Sequence, residues 1–228
     1  MNIEKHLFND INFFPKEMKT LILGTFSVPL YTNKEKFDKL SYEEKINSWY
    51  YSSKRNEFWK IIADSFDIDY KNDDFIFNKA KKKILFETNR VGIADVFSKC
   101  KRKNENSSRD TDLIVLEYND ILGKIIKEYD LNLIIFTSRF TENNFFNILK
   151  NNNIDYYNKD SREVYEYYNN GLNDIGITID IINALRERYL YIDNKKIKIS
   201  TVTLKISPIK GVSLYCVKRE LYSYYLKK

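Results

Sequence analysis

The feature that most constrains this chain is a set of short apolar runs set far apart along it. Residues 20–24, 131–136 and 201–206 are each too short for a helix and are dominated by aliphatic and β-branched side chains. Strands buried on both faces of a parallel sheet have this composition. Residues 90–94, running into Asp95, form a fourth candidate of the same kind. Between the runs the apolar period lengthens to that of amphipathic helices, over 56–66, 118–129, 141–149, 179–190 and 217–226. Asn119 or Asp120 stands near the start of the second of these and Thr141 at the start of the third, as capping residues. Strands alternating with helices predict an α/β fold: a three-layer αβα domain around a central, mostly parallel four-stranded sheet.

The length of 228 residues is enough for one domain with a full core, and no linker rich in Pro, Gly or Ser divides it. The expectation is a single domain over 1–228, with the Tyr- and Asn-rich stretch inside 154–190 as an insertion between core strands. No apolar stretch approaches the ~20 residues of a membrane span. The first sixteen residues alternate charged and apolar side chains without a signal-peptide core, so cytoplasmic residence is expected. Cys100 and Cys216 lack CxxC spacing and cannot supply a four-thiolate cluster. The one histidine, His6, reads as a solvated residue near the terminus, which disfavours histidine acid–base chemistry and a histidine metal site. No metal site is expected. The net charge of +6 permits a polyanionic partner without requiring one, and the basic runs at 81–83, 99–103 and 195–198 each read as solvated faces.

In a parallel sheet, ligands bind beyond the carboxyl ends of the strands. The distinctive segments fall there. Gly24-Thr25-Phe26-Ser27-Val28-Pro29 leaves the first strand through a glycine, which lets backbone approach a ligand closely. Tyr50-Tyr51 precedes Arg55-Asn56-Glu57-Phe58-Trp59. Phe58 and Trp59 there suit core packing, and Arg55 and Asn56 stand in a helix's first turn, where anions and carbonyls bind. Val91-Gly92-Ile93-Ala94-Asp95-Val96 leads to Cys100-Lys101-Arg102 and to Ser107-Ser108-Arg109-Asp110, a basic loop suited to phosphates that Asp95 would order. Thr137 and Ser138 follow the third run with hydroxyls in place of an amide. Ser207-Pro208-Ile209-Lys210-Gly211 follows the last, with groups suited to phosphate contact.

These five segments, in this order, resemble the uracil-DNA glycosylase superfamily, and most closely its hypoxanthine-DNA glycosylase branch. Mismatch-specific uracil/thymine-DNA glycosylases are more distant in pattern. The chain departs from that pattern in four places: its proline stands at Pro29, two residues are missing before Asp95, the loop before Ser108 is longer, and Thr137-Ser138 replaces an Asn-Gly pair. The resemblance implies a monofunctional, cofactor-free DNA glycosylase that flips a deaminated base (hypoxanthine, uracil or xanthine) into a pocket. Its partner would be DNA bearing that lesion, and the protein would act as a monomer. It implies Asn56 as the catalytic residue, positioning the water or hydrogen-bonding the leaving base. Gly24, Thr25, Phe26, Tyr51, Thr137 and Ser138 would form the base pocket. Arg55, Lys101, Arg102, Ser207, Pro208, Lys210 and Gly211 would hold DNA. The departures leave a second reading open, a non-catalytic nucleic-acid-binding module on the same scaffold. A third is an enzyme acting on free nucleosides or nucleotides.

Overall fold

Leu21, Ile22 and Leu23 are wholly buried, and their alternation along one strand sends the first and third to one face of a sheet and the second to the other. That strand is the spine of the fold. The computed structural model describes residues 2–54, 56–161, 163, 166, 187–202 and 213–227. In chain order its strands and helices are β1 (Glu4–Lys5), β2 (Thr20–Gly24), α1 (Lys34–Asp38), α2 (Tyr42–Ile46), α3 (Phe58–Ser65), α4 (Lys79–Thr88), β3 (Val91–Asp95) and β4 (Phe97–Arg102). They continue with β5 (Leu113–Tyr118), α5 (Ile121–Glu128), β6 (Leu133–Phe136), α6 (Arg139–Asn151), β7 (Tyr157–Asp160), β8 (Arg188–Ile192), β9 (Lys195–Thr201) and α7 (Leu214–Leu226).

The fold is the mixed α/β, layered architecture expected, with a central and mostly parallel sheet. Its strand order is β3-β2-β6-β9-β8-β7; the first four strands are parallel, and β8 and β7 add on antiparallel. One face packs Ile22, Ile93 and Ile135 against Trp59, Ile62, Phe86 and Leu221 from α3, α4 and α7. The other packs Leu21, Leu23, Ile134, Phe136 and Ile199 against Leu122, Ile126, Phe145 and Ile148 from α5 and α6.

Five expectations need correction. The sheet has six strands rather than four. The strand beside β6 is 195–201, which precedes the expected 201–206, and residues 203–206 lie outside the described residues. Residues 188–190 are strand rather than helix, because Leu190 alternates with tyrosines at the period of two and pairs with β9; 179–186 lie outside the described residues. The stretch 97–102 is a strand, not a basic loop, and forms with β1 and β5 a second, antiparallel sheet that periodicity did not expose. The cap of α6 is Ser138, whose hydroxyl accepts from the Thr141 amide at 3.0 Å, so Thr141 stands at the third helical position.

Candidate functional site

Gly24 and Asp95 are register partners at the carboxyl ends of β2 and β3, and Thr137 follows β6 immediately beside them. Three neighbouring strands thus present their last residues on one rim. Tyr51 reaches that rim from the segment before α3. Its backbone is left-handed (φ 54°), its ring packs on Phe58 with centroids 4.4 Å apart, and its hydroxyl lies 3.2 Å from Thr137 Oγ1. A left-handed tyrosine is uncommon and is held here by packing on both ends of its side chain. A Cβ at position 24 would collide with Asp95 Oδ1 and with the Tyr51 hydroxyl, so only glycine lets these groups close over the strand end.

A cluster of hydroxyls and one carboxylate adjoins them. Thr25 Oγ1 stands 2.7 Å from Thr141 Oγ1 and 3.4 Å from Ser138 Oγ, and donates to Asp110 Oδ2 at 3.2 Å. Ser138 Oγ donates to the same Asp110 oxygen at 3.2 Å. Asp110 comes from a short turn ahead of β5, in the segment read above as part of the loop pattern.

His6 is the clearest departure from the sequence reading. It is buried, not solvated: β1 pairs with β4 and carries the chain to the rim, where His6 Nε2 lies 3.4 Å from Asp95 Oδ2. Its ring sits 4.9 Å from that of Phe26 and 5.1 Å from that of Phe8. Two of the orphaned polar atoms among the described residues are His6 Nδ1 and Asp95 Oδ2. Burial lowers the His6 pKa to about 4, and burial, with a smaller repulsion from Asp110, raises that of Asp95 to about 8. Between those values the pair holds one proton and is neutral overall. Burial also raises Asp110, against hydrogen bonds from Thr25 and Ser138 and the attraction of Arg102. The rim is therefore less acidic at neutral pH than its two carboxyls suggest.

Arg102 must be withdrawn as a DNA contact. It is 2% exposed, donates from Nε to Glu4 Oε2 at 2.9 Å and from Nη1 to the Ser107 carbonyl at 2.8 Å, and binds the Ser27 carbonyl through Nη2. Glu4 also accepts from Thr32. The guanidinium thus fastens the loop after Phe26 to the second sheet, and its central carbon lies 5.7 Å from the centre of the Phe26 ring. Lys101 is half-buried on β4 opposite Ile114. Arg55, Ser207, Pro208, Lys210 and Gly211 lie outside the described residues.

Asn56 lies apart from the rim hydroxyls. Its Oδ1 accepts the Phe58 amide at 2.8 Å, closing the first turn of α3. It lines a cleft of about 1080 Å³ together with Pro29, Tyr31, Ser52, Lys54, Asn106 and Ser108; Gly24, Thr25, Phe26, Thr137 and Ser138 do not line it. The structure therefore brings the six expected pocket residues to one rim and sets Asn56 on a neighbouring cleft, linked through the Tyr51–Asn56 segment. Sequence reading missed His6, which follows a two-residue strand with no periodicity to read, and gave no role to Asp110. Among the described residues no group of three or more His, Cys, Asp or Glu is placed to hold a metal ion, and no helix is long and apolar enough to cross a membrane.

No family model and no curated protein matches the chain. Among solved structures it is similar to an NMR structure of a Methanosarcina acetivorans protein proposed to be a uracil DNA glycosylase. The two are 19% identical with a TM-score of 0.42, over 67% of this chain and 80% of that one. At that TM-score nothing about the chemistry of this chain follows from the overlap.

Proposed function

We propose that the chain is a DNA glycosylase that hydrolyses the N-glycosidic bond of a deaminated base. The observation that supports this most is convergence. Segments 24–26, 51, 95, 110 and 137–138, scattered over more than a hundred residues, meet at the carboxyl edge of a parallel sheet, where such folds bind ligands. The sequence resemblance assigns a base pocket to six of these residues, 24–26, 51 and 137–138. A flipped base would find hydroxyl donors and acceptors in Thr25, Thr137 and Ser138, and a ring in Phe26.

The capping bond narrows the role of Asn56. Because a backbone N–H can only donate, the atom 2.8 Å from the Phe58 amide is the carboxamide oxygen, and Nδ2 is the end left to the cleft. With one lone pair of Oδ1 given to the cap and no bond from Nδ2 among the described residues, the reading favoured for Asn56 is a donor to the departing, electron-rich base. Release of free base from oligonucleotides carrying one hypoxanthine, uracil or xanthine tests this, with Asn56→Asp as the sharpest variant. Aspartate keeps the cap and loses the donor, so the protein should fold normally and lose base release. Full activity in Asn56→Asp refutes the donor role. No strand nick should form without alkali or heat.

The second reading, a binding module without catalysis, is favoured by the hydroxyls of Thr137 and Ser138 standing where the resembled pattern has an amide. Binding to abasic duplexes without base release from any of the three lesions would select it.

A further inference from the structure

The antiparallel end of the main sheet has a face that neither core accounts for. In β8, Leu190 and Ile192 point into the core with Ile197 and Ile199 of β9, so Tyr189 and Tyr191 point the other way. Register then fixes their neighbours. Tyr157, Tyr191 and Lys196 form one cross-strand row, and Lys159, Tyr189 and Lys198 form the next. Three tyrosines and three lysines occupy six adjoining positions on one face.

The contacts within it are specific. Tyr157 and Tyr191 stack with centroids 4.5 Å apart and planes within 3°, yet Tyr157 remains 63% exposed. Lys196 Nζ sits 3.7 Å from the Tyr189 centroid, and Lys198 Nζ sits 6.0 Å from it. Lys198 pairs with Glu163, while among the described residues neither Lys159 nor Lys196 has a carboxylate partner. Cross-strand tyrosine pairs and edge lysines do stabilise and protect a hairpin. That role does not require the exposed outer face of Tyr157, nor, among the described residues, lysines without a carboxylate in both rows.

We propose that this face binds single-stranded DNA, with a base stacked on the exposed face of Tyr157, itself backed by Tyr191, and phosphates held by Lys159, Lys196 and Lys198. Aromatic platforms flanked by basic side chains bind single strands in this way, because every base has a ring face to stack. Duplex DNA hides those faces. The face lies at the opposite edge of the sheet from β3, and the proposal does not rest on the glycosylase reading.

Fluorescence anisotropy with a labelled oligothymidylate of roughly 10 nucleotides tests it on the full chain. Three phosphate contacts predict a slope of about −2 for log affinity against log salt. Tyr157→Ala with Tyr191→Ala should weaken binding about tenfold or more, and Tyr157→Phe should not. Lys159→Glu with Lys196→Glu should weaken it and flatten the salt slope, with circular dichroism unchanged. An unlabelled duplex of equal length should compete poorly. A folded wild type that does not bind at low salt, affinities within twofold across the variants, or equal competition by duplex overturns the proposal.

Discussion

Asp95→Asn isolates what burial does to the rim. The Asp95 carboxyl has its pKa raised from 3.8 to about 8, mainly by burial, so the folded state keeps a proton that the unfolded chain releases. Across that range the folded state binds more protons, and the contribution to stability falls as pH rises. His6 acts in the opposite sense: its pKa falls from 6.5 to about 4, so its contribution rises with pH over that interval. Between about pH 4 and 6.5 the two slopes cancel. From pH 6.5 to about 8 only Asp95 of this pair still titrates. At about 1.4 kcal/mol per pH unit, those 1.5 units correspond to about 2 kcal/mol. Lys82, whose pKa is lowered to about 7, adds an opposing slope near the top of the window, so the absolute curve is not the readout. The difference between variant and wild type is. Asparagine keeps the shape of the carboxyl and cannot ionise. Urea unfolding at pH 6.5 and 8 should therefore show Asp95→Asn gaining about 2 kcal/mol relative to wild type between the two. Parallel curves for the two proteins would refute the claim that Asp95 is neutral in the fold.

Two further predictions concern the interior. Arg102→Met leaves Glu4 buried without its partner and should cost about 3–5 kcal/mol in urea unfolding, most of which Glu4→Gln in the same chain should restore. Lys82 is wholly buried against Ser52 Oγ at 3.0 Å and the Trp59 ring at 5.0 Å, and burial lowers its pKa from 10.5 to about 7. The unfolded chain holds more protons over that span, so wild-type stability should gain on the order of 5 kcal/mol from it as pH rises. Lys82→Met should flatten that rise and raise stability at pH 7, as read by thermal melts across pH.

The parallel core was legible because β2, β3 and β6 are buried on both faces, and a short continuous apolar run bounded by polar turns fits little besides a doubly covered strand. The convergence of the strand ends was legible for a related reason: they meet wherever a parallel sheet forms, so Gly24 and Thr137 had to be neighbours once their strands were. The antiparallel elements were not. β4 alternates Phe97, Cys100 and Arg102 inward at irregular spacing, with register shifts near Lys99, and a buried arginine there looks the same in sequence as a solvated one. Lys82 and Arg102 both belonged to runs read as solvated faces, and both are interior. The ion pair that made Arg102 tolerable is with Glu4, 98 residues away. No local pattern encodes such a partner, and the same distance hid His6, whose burial depends on β1 reaching β4.

The loss of Arg102 raises the question of which cations could hold a DNA backbone beside Asn56. Among the described residues the cleft offers two lysines, and both are partnered: Lys54 with Glu44 at 3.1 Å, and Lys36 with Asn106 Oδ1 at 2.5 Å and the Glu105 carbonyl at 3.2 Å. Lys54 is 75% exposed, and the Lys36 contacts are likewise at the surface. Exposed ion pairs contribute little to stability, so a phosphate can displace either partner at small cost. A buried pair such as Glu4–Arg102 cannot be exchanged in this way. If the proposed glycosylase reading holds, depth rather than charge decides which basic residues remain available to a polyanion, and among the described residues of the cleft Lys36 and Lys54 are the ones at the surface.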